Sequence, residues 1–186
     1  MIALLAMVAS GAAVGAPAAS AGITPITAAP RAGSAGDSGS AAMAPGRGIG
    51  IESSERMRKS GTNLCLVVRA TGGEVPVVQY NCGSFADQQF NFFYPHDPDA
   101  TYVKFYGSLT GLCVAARGTG RSGAVATSCG PWIDQEWSWN YNATFGGYQY
   151  RNRNSGLCLA VQGTAMNTQA IQTTCGNWSD QHWVRA

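Results

Sequence analysis

Charge is scarce in this sequence. Asp, Glu, Lys and Arg make up 12% of the 186 residues, and the formal net charge is only +2. Nucleic-acid binding needs a concentrated positive field, so this balance argues against a nucleic-acid partner. RMRK (56–59) and YQYRNRN (148–154) are short basic stretches. They stand at equivalent places in an internal repeat, which makes a strand-edge role the simpler interpretation.

Histidine and metal-ligand motifs are also scarce. The chain has two His, and none of its six Cys forms a CxxC pair. His96 lies in a Pro-bounded turn, YPHDPDA (94–100). His182 is the middle residue of a repeated motif, where the varying identities (Gln89, Glu136) indicate an unconstrained surface position. The sequence therefore predicts no metal site, no cofactor and no enzyme activity.

No uninterrupted apolar run reaches the roughly 20 residues that a membrane-spanning helix needs. The first 21 residues, ending in Ala19-Ser20-Ala21, have an apolar run and a small-x-small cleavage pattern. We predict a signal peptide at 1–21, a secreted protein and no stable membrane insertion. No Lys or Arg precedes the apolar run, so it stays open whether Met1 is the true start. A membrane anchor is the alternative.

Residues 22–52 lack an apolar period and are rich in Ala, Gly, Ser and Pro. Such a segment buries too little surface to offset its ordering entropy. We therefore predict a flexible linker at 22–52 and a folded domain at 53–186.

What the chain does contain is one unit used three times. CGSFADQQF (82–90), CGPWIDQEW (129–137) and CGNWSDQHW (175–183) share the form Cys-Gly-x-aromatic-x-Asp-Gln-x-aromatic. A second Cys precedes each copy at a nearly constant distance (82 − 65 = 17, 129 − 113 = 16, 175 − 158 = 17). Equivalent units should close equivalent loops, which predicts the disulfides Cys65–Cys82, Cys113–Cys129 and Cys158–Cys175.

Each unit has the order strand, turn, strand, Gly/Thr-rich loop, strand and aromatic Asp-Gln segment. Short strands at this spacing predict an all-β fold. One unit is too small to bury its own apolar side chains, but three around a pseudo-threefold axis can share a core. Phe90, Trp137 and Trp183 are the expected core rings. The repeated Gln is expected to be half-buried and to fix the backbone between units through its amide.

This pattern resembles the R-type, ricin-B-like β-trefoil lectins. The resemblance rests on Gln88-x-Phe90, Gln135-x-Trp137 and Gln181-x-Trp183, on GLCVAA and GLCLAV, and on the Cys pair within each repeat. It covers residues 53–186. It implies a β-trefoil of three lobes, each with a disulfide, and shallow sugar sites in which an aromatic ring, a carboxylate and an amide hold a galactose-like sugar.

The sequence departs from that family at one informative position. The carboxylate expected two residues after the first Cys is replaced by Val67, Ala115 and Ala160. A carboxylate does precede each repeated Gln, and it serves either a sugar or the capping of a turn. The full set of predicted carbohydrate-binding residues is Tyr80, Asp87, Gln88, Asp134, Gln135, Asp180 and Gln181.

Lobe one is the preferred site, because Tyr80 stands near Asp87 and Gln88, with Gln79 or Asn81 as helpers. The aromatics three residues after each second Cys are either sugar platforms or plugs of the barrel ends. Their strict recurrence favours the structural role. These aromatics are Phe85, Trp132 and Trp178.

The sequence thus predicts a secreted lectin that binds glycans, galactose-like sugars or a polysaccharide, through one to three shallow sites. The alternative is a trefoil that has lost sugar binding and contacts another protein subunit. Tyr80 discriminates between the two, since a lectin needs this ring exposed beside Asp87.

Overall fold

The structure is a computed structural model that describes residues 54–95 and 101–186. The predicted signal peptide (1–21), the predicted linker (22–52) and the turn that contains His96 lie outside the described residues. Within the described ranges, no helix has the length and apolar character needed to cross a bilayer.

Thirteen strands and three single-turn 3-10 helices occupy the described residues. The 3-10 helices are Ala86–Gln88, Ile133–Gln135 and Ser179–Gln181. The strands are β1 (Glu55–Lys59), β2 (Leu64–Val67), β3 (Val75–Pro76), β4 (Val78–Asn81), β5 (Gln89–Phe93), β6 (Lys104–Gly107), β7 (Leu112–Ala116), β8 (Ser122–Ser128), β9 (Trp137–Asn142), β10 (Gly147–Asn152), β11 (Cys158–Ala160), β12 (Ile171–Thr173) and β13 (His182–Arg185).

Six of these strands form a closed antiparallel barrel. The circuit runs β1, β5, β6, β9, β10, β13 and back to β1. The link between the β6 segment and β9 is a bridge between Val103 and Trp137. In β5 the burial alternates, so that Phe90 and Phe92 point inward while their neighbours are only partly covered.

Six of the other seven strands form three hairpins, β2–β4, β7–β8 and β11–β12. These hairpins also pair with one another, through β8 with β12, β3 with β8, and a bridge between Val78 and Gln169. A six-stranded barrel joined to three mutually paired hairpins is a β-trefoil. The predicted all-β fold class is therefore confirmed.

The three predicted disulfides are present. Cys65–Cys82, Cys113–Cys129 and Cys158–Cys175 each join the first strand of a hairpin to the segment directly after its last strand, and no cysteine is free. In the chain-entropy model, a loop of this length contributes roughly 3 kcal/mol.

The rings that end the three repeats meet in the core. Phe90, Trp137 and Trp183 are all fully buried. Both indoles also satisfy their N–H groups, because Trp137 Nε1 donates to the carbonyl of Val114 (3.1 Å) and Trp183 Nε1 donates to that of Leu159 (3.2 Å).

One detail of the predicted unit differs. The sequence predicts an aromatic Asp-Gln segment after three strands, with no fourth strand assigned. This segment is instead a 3-10 turn that leads into a fourth strand, and the core ring belongs to that strand. The strand could not be recognised from the sequence, because the short Asp-Gln turn directly precedes it.

The shared core predicts a large difference between two Trp of one lobe. Trp183→Ala removes a fully buried ring and should lower the free energy of unfolding by about 3–5 kcal/mol. Trp178→Ala removes an exposed ring and should lower it by less than about 1 kcal/mol. Urea unfolding followed by circular dichroism measures both. Equal losses would contradict the assignment of Trp183 to the core.

Tyr150 predicts a specific loss of stability in alkali. Burial raises the pKa of the Tyr150 hydroxyl well above its ordinary value near 10. Above pH 10 the unfolded chain therefore loses a proton that the folded chain keeps, and stability falls by up to about 1.4 kcal/mol per pH unit. Tyr150→Phe should be free of this loss. Unfolding curves at pH 8 and pH 11 test it, and a wild-type decline no steeper than that of the variant would contradict it.

Candidate functional site

The repeated Gln ties together the two ends of its own motif. In lobe one, Gln88 Oε1 accepts from the N–H of Gly83 (2.8 Å), and Gln88 Nε2 donates to the carbonyl of Asn81 (2.7 Å). Gln135 and Gln181 make the same two bonds in their lobes. The side chain thus holds the strand before the second Cys against the 3-10 turn.

These Gln are more deeply buried than expected. Gln88, Gln135 and Gln181 have relative exposures of 0%, 0% and 1%, and each of these amides bonds within its own lobe rather than between units. A ligand at the surface would therefore contact the groups that these amides position. The predicted helper Gln79 is also fully buried, and its amide donates to the carbonyl of Ala165 (2.7 Å).

The aromatics after the second Cys are not plugs. Phe85, Trp132 and Trp178 are 54%, 50% and 56% exposed, so the expected structural role in a barrel end is wrong. Each ring lies against the Gly of its own Cys-Gly pair. A Cβ on Gly130 would stand 2.2 Å from the Trp132 ring, and one on Gly176 would stand 2.0 Å from the Trp178 ring. Only glycine leaves space for the ring there.

The carboxylate before each repeated Gln has one unsatisfied oxygen. Oδ1 of Asp87, of Asp134 and of Asp180 is buried and has no hydrogen-bond partner among residues 54–95 and 101–186. This does not fit turn capping, in which a side-chain oxygen accepts from a nearby backbone N–H. A buried acceptor without a donor is costly, so a donor that reached this oxygen would be stabilised, although the oxygen is closed to solvent in this structure.

In lobe one an arginine occupies the predicted sugar site. The Arg69 guanidinium lies over the Tyr80 ring, 4.1 Å from its centroid, and Arg69 Nε donates to Asp87 Oδ2 (2.8 Å). The structure thus brings Tyr80 and Asp87 together, but through Arg69. Tyr80 is partly buried beneath this cation, so it does not offer that face of the ring to a neutral sugar.

In lobe two a second arginine is held by two carboxylates. Arg117 contacts Asp134 through one terminal nitrogen, and its Nε donates to Glu74 (2.7 Å). Burial opposes the charge on Arg117, but the hydrogen bonds to Asp134 and Glu74 outweigh it and raise the pKa of the guanidinium. Its donors are thereby directed at protein carboxylates.

Lobe three has an open groove at the equivalent place. The cavity measures about 490 Å³. Asp180 sits here near the buried Lys59, whose pKa is lowered by burial while the charge of Asp180 acts in the opposite direction. The groove is lined by Gln162, Thr173, Thr174, Trp178, Ser179 and Asp180, together with the buried Gln181.

The residue that distinguishes the lobes was missed from the sequence. The position four residues after the first Cys holds Arg69, Arg117 and Gln162 in lobes one, two and three. The sequence does show that equivalent positions of the three repeats hold different residues. It does not show what these side chains contact, because their partners come from other segments of the chain.

The middle residue of the repeated Gln-x-aromatic is not an unconstrained surface position. Glu136 is 3% exposed and lies in ion pairs with Lys104 (3.5 Å) and Arg153. His182 is 2% exposed, stacks on Phe145, and its Nδ1 is 2.8 Å from the carbonyl oxygen of Trp178. The variation among lobes reflects different buried partners.

Metal-ligating side chains do not cluster in the described part of the chain, where no three His, Cys, Asp or Glu come together as a metal site requires. The other His, His96, lies outside that part.

Comparison with protein families gives one match. Residues 53–183 match the model of the ricin-type beta-trefoil lectin domain. A search of curated proteins found no match.

Several solved structures share this fold. A mosquitocidal holotoxin aligns with a TM-score of 0.65 at 20% identity, over 72% of this chain and 17% of that one. The designed 3-fold symmetric protein ThreeFoil aligns with a TM-score of 0.63 at 21% identity, over 71% and 96%. The hemolytic lectin CEL-III aligns with a TM-score of 0.57 at 24% identity, over 72% and 30%. At these identities the likeness concerns the fold.

The role of the repeated Gln predicts a stability loss. Gln135→Met keeps the volume but leaves the N–H of Gly130 and the carbonyl of Ser128 without their partner, at about 1–3 kcal/mol for each group that stays dry. The exposed Gln162→Met is the matched control and should change stability by less than about 0.5 kcal/mol. Chemical unfolding measures both variants. A Gln135 variant as stable as wild type would contradict this role.

Proposed function

Because the chain belongs to the ricin-type beta-trefoil lectin domain family, we propose that it is a non-catalytic, secreted lectin whose main site for neutral sugars is the groove of lobe three. The family match supports a carbohydrate-binding module in general. The choice of lobe rests on one observation: in lobe three a carboxylate that no arginine pairs with, among the described residues, lines an open groove beside an exposed indole.

The groove combines the two kinds of contact that a galactose-like sugar needs. The Trp178 ring, held flat against Gly176, offers an apolar face to the C–H side of a sugar. The Asp180 carboxylate lines the groove and is a charged acceptor for a hydroxyl, and charge-assisted bonds of this kind are roughly twice as strong as neutral ones. The Thr173 hydroxyl in the same lining can add a further contact.

Lobes one and two are less suited to a neutral sugar. Arg69 covers the Tyr80 ring and pairs with Asp87, and Arg117 pairs with Asp134. A neutral ligand would have to displace these ion pairs without replacing their charge. The sequence-based preference for lobe one as a galactose-type site therefore has less support than lobe three.

Secretion is part of the proposal. The apolar, small-residue stretch at 1–21 favours export. The three disulfides favour an oxidising compartment, because structural disulfides rarely persist in the cytosol.

A protein-interaction role is the second candidate, and one surface favours it. Trp139 and Tyr141 on β9 are 39% and 53% exposed, and both pack edge-on against Tyr148 of β10, with ring centroids 5.6 and 5.2 Å apart. Aromatic rings are enriched in protein interfaces. A partner subunit that covers this hairpin face would explain its exposure without any sugar.

The lobe-three site is tested by a glycan screen with matched variants. We expect wild type to bind neutral galactose-containing glycans. Asp180→Asn and Trp178→Ala should weaken this binding at least about tenfold, because one removes the charged acceptor and the other the apolar platform. Trp132→Ala, the equivalent change in lobe two, should leave it intact.

Two results would contradict this site. In one, wild type binds no glycan, which is what the protein-interaction role predicts. In the other, Asp180→Asn binds neutral glycans as well as wild type does.

A further inference from the structure

The three lobes carry different chemistry at one equivalent place, four residues after the first Cys. Lobes one and two have Arg69 and Arg117, whereas lobe three has Gln162. Each of these two arginines contacts the Asp that precedes the repeated Gln of its lobe. Arg69 contacts Asp87, and Arg117 contacts Asp134. The lobes therefore present three versions of one site.

In lobe two the arginine is paired with two carboxylates. Arg117 uses Nε and one terminal nitrogen on Glu74, and the other terminal nitrogen on Asp134. Two protein carboxylates thus contact all three nitrogens of this guanidinium, and an incoming anion would have to compete with both.

In lobe one the arginine has one carboxylate partner among the described residues. Arg69 donates from Nε to Asp87, and its two terminal nitrogens have no partner within residues 54–95 and 101–186. The Arg69 side chain is 44% exposed, which leaves this edge open to solvent. Stacking on Tyr80 and the bond to Asp87 hold the guanidinium plane in one orientation.

Asp87 orients that edge rather than offering a second contact. Its Oδ2 is used by Arg69, while its Oδ1 is buried and has no donor in the described part of the chain. Because solvent does not reach Oδ1, the terminal nitrogens of Arg69 are the groups that a ligand can contact here. Carboxylates match the two parallel N–H donors of an arginine.

We propose that lobe one binds an acidic sugar of the uronic-acid type. The sugar carboxylate accepts hydrogen bonds from the terminal nitrogens of Arg69, which Asp87 and Tyr80 hold in place. Tyr80 is then a positioning residue for Arg69 rather than a stacking platform for the sugar. This inference rests on the proposed lectin function. The protein would then bind two classes of sugar, acidic sugars in lobe one and neutral sugars in lobe three.

The test is an NMR titration of the ¹⁵N-labelled protein with methyl galacturonide, methyl galactoside and galactose 6-sulfate. These probes share a galactose-type ring and differ mainly at carbon 6. Backbone amides of Asn81 and Asp87 report on lobe one, and those of Thr174 and Asp180 report on lobe three. We expect the galacturonide to shift lobe-one amides at a concentration at least about tenfold lower than the galactoside needs, with the effect weakened in 0.5 M salt.

The matched variant is Arg69→Gln, which gives lobe one the residue that lobe three has. It should lose at least about tenfold in galacturonide affinity at the lobe-one amides, while lobe-three shifts with the galactoside stay as in wild type. Arg69→Lys keeps the charge without the planar pair of donors and should recover only part of the affinity. The sulfate probe distinguishes charge from shape, since a response equal to that of the galacturonide would assign the site to anionic sugars generally and overturn the restriction to uronic acids.

Other results would overturn the proposal. One is that galacturonide shifts only lobe-three amides. Another is that Arg69→Gln binds galacturonide as well as wild type does. A third is that this variant gains galactoside binding without losing galacturonide binding, which would mean that Arg69 only blocks the site. The proposed neutral site fails separately, if no sugar shifts the amides of Thr174 and Asp180.

Discussion

Pairing between the first and last strands of the barrel is the constraint on which the rest of this structure depends. Met57, Arg58 and Lys59 of β1 pair with the end of β13 and complete the circuit of six strands. No lobe has enough apolar surface to form a core alone, so the rings of three lobes become buried together only when the circuit closes. Disulfides inside the lobes strengthen each piece but cannot replace this closure.

The division between buried and exposed positions explains how one backbone can hold three different sites. In every lobe a buried Gln bonds to the same two backbone groups, and a Phe or Trp enters the core two residues later. The residues that face the candidate sites are outside this framework. Arg69 can therefore differ from Gln162 without disturbing the fold around it.

The fold could be predicted from the sequence because its determinants repeat in phase. Six Cys allow many pairings, but equal spacings left one that treats the lobes alike, and the structure has it. The core positions of Phe90, Trp137 and Trp183 were likewise visible as the last residue of each repeat.

The sites could be predicted only in part, because contacts between separate segments decide them. Tyr80 and Asp87 both contact Arg69, and this cation comes from a loop eleven residues before Tyr80 (80 − 69 = 11). Glu136 is buried because Lys104 and Arg153 reach it from other strands. The repeat pattern does not predict such partners, because the contacting residues differ from lobe to lobe.

The glycine beneath each exposed ring has a consequence for recognition. Gly176 supports one face of Trp178 and leaves the other face toward water. A side chain braced in this way has few alternative rotamers to give up when a ligand arrives, so pre-organisation lowers the entropic penalty of association. The absence of a Cβ at a single position, rather than any contact with the ligand, thereby tunes how readily the surface captures it.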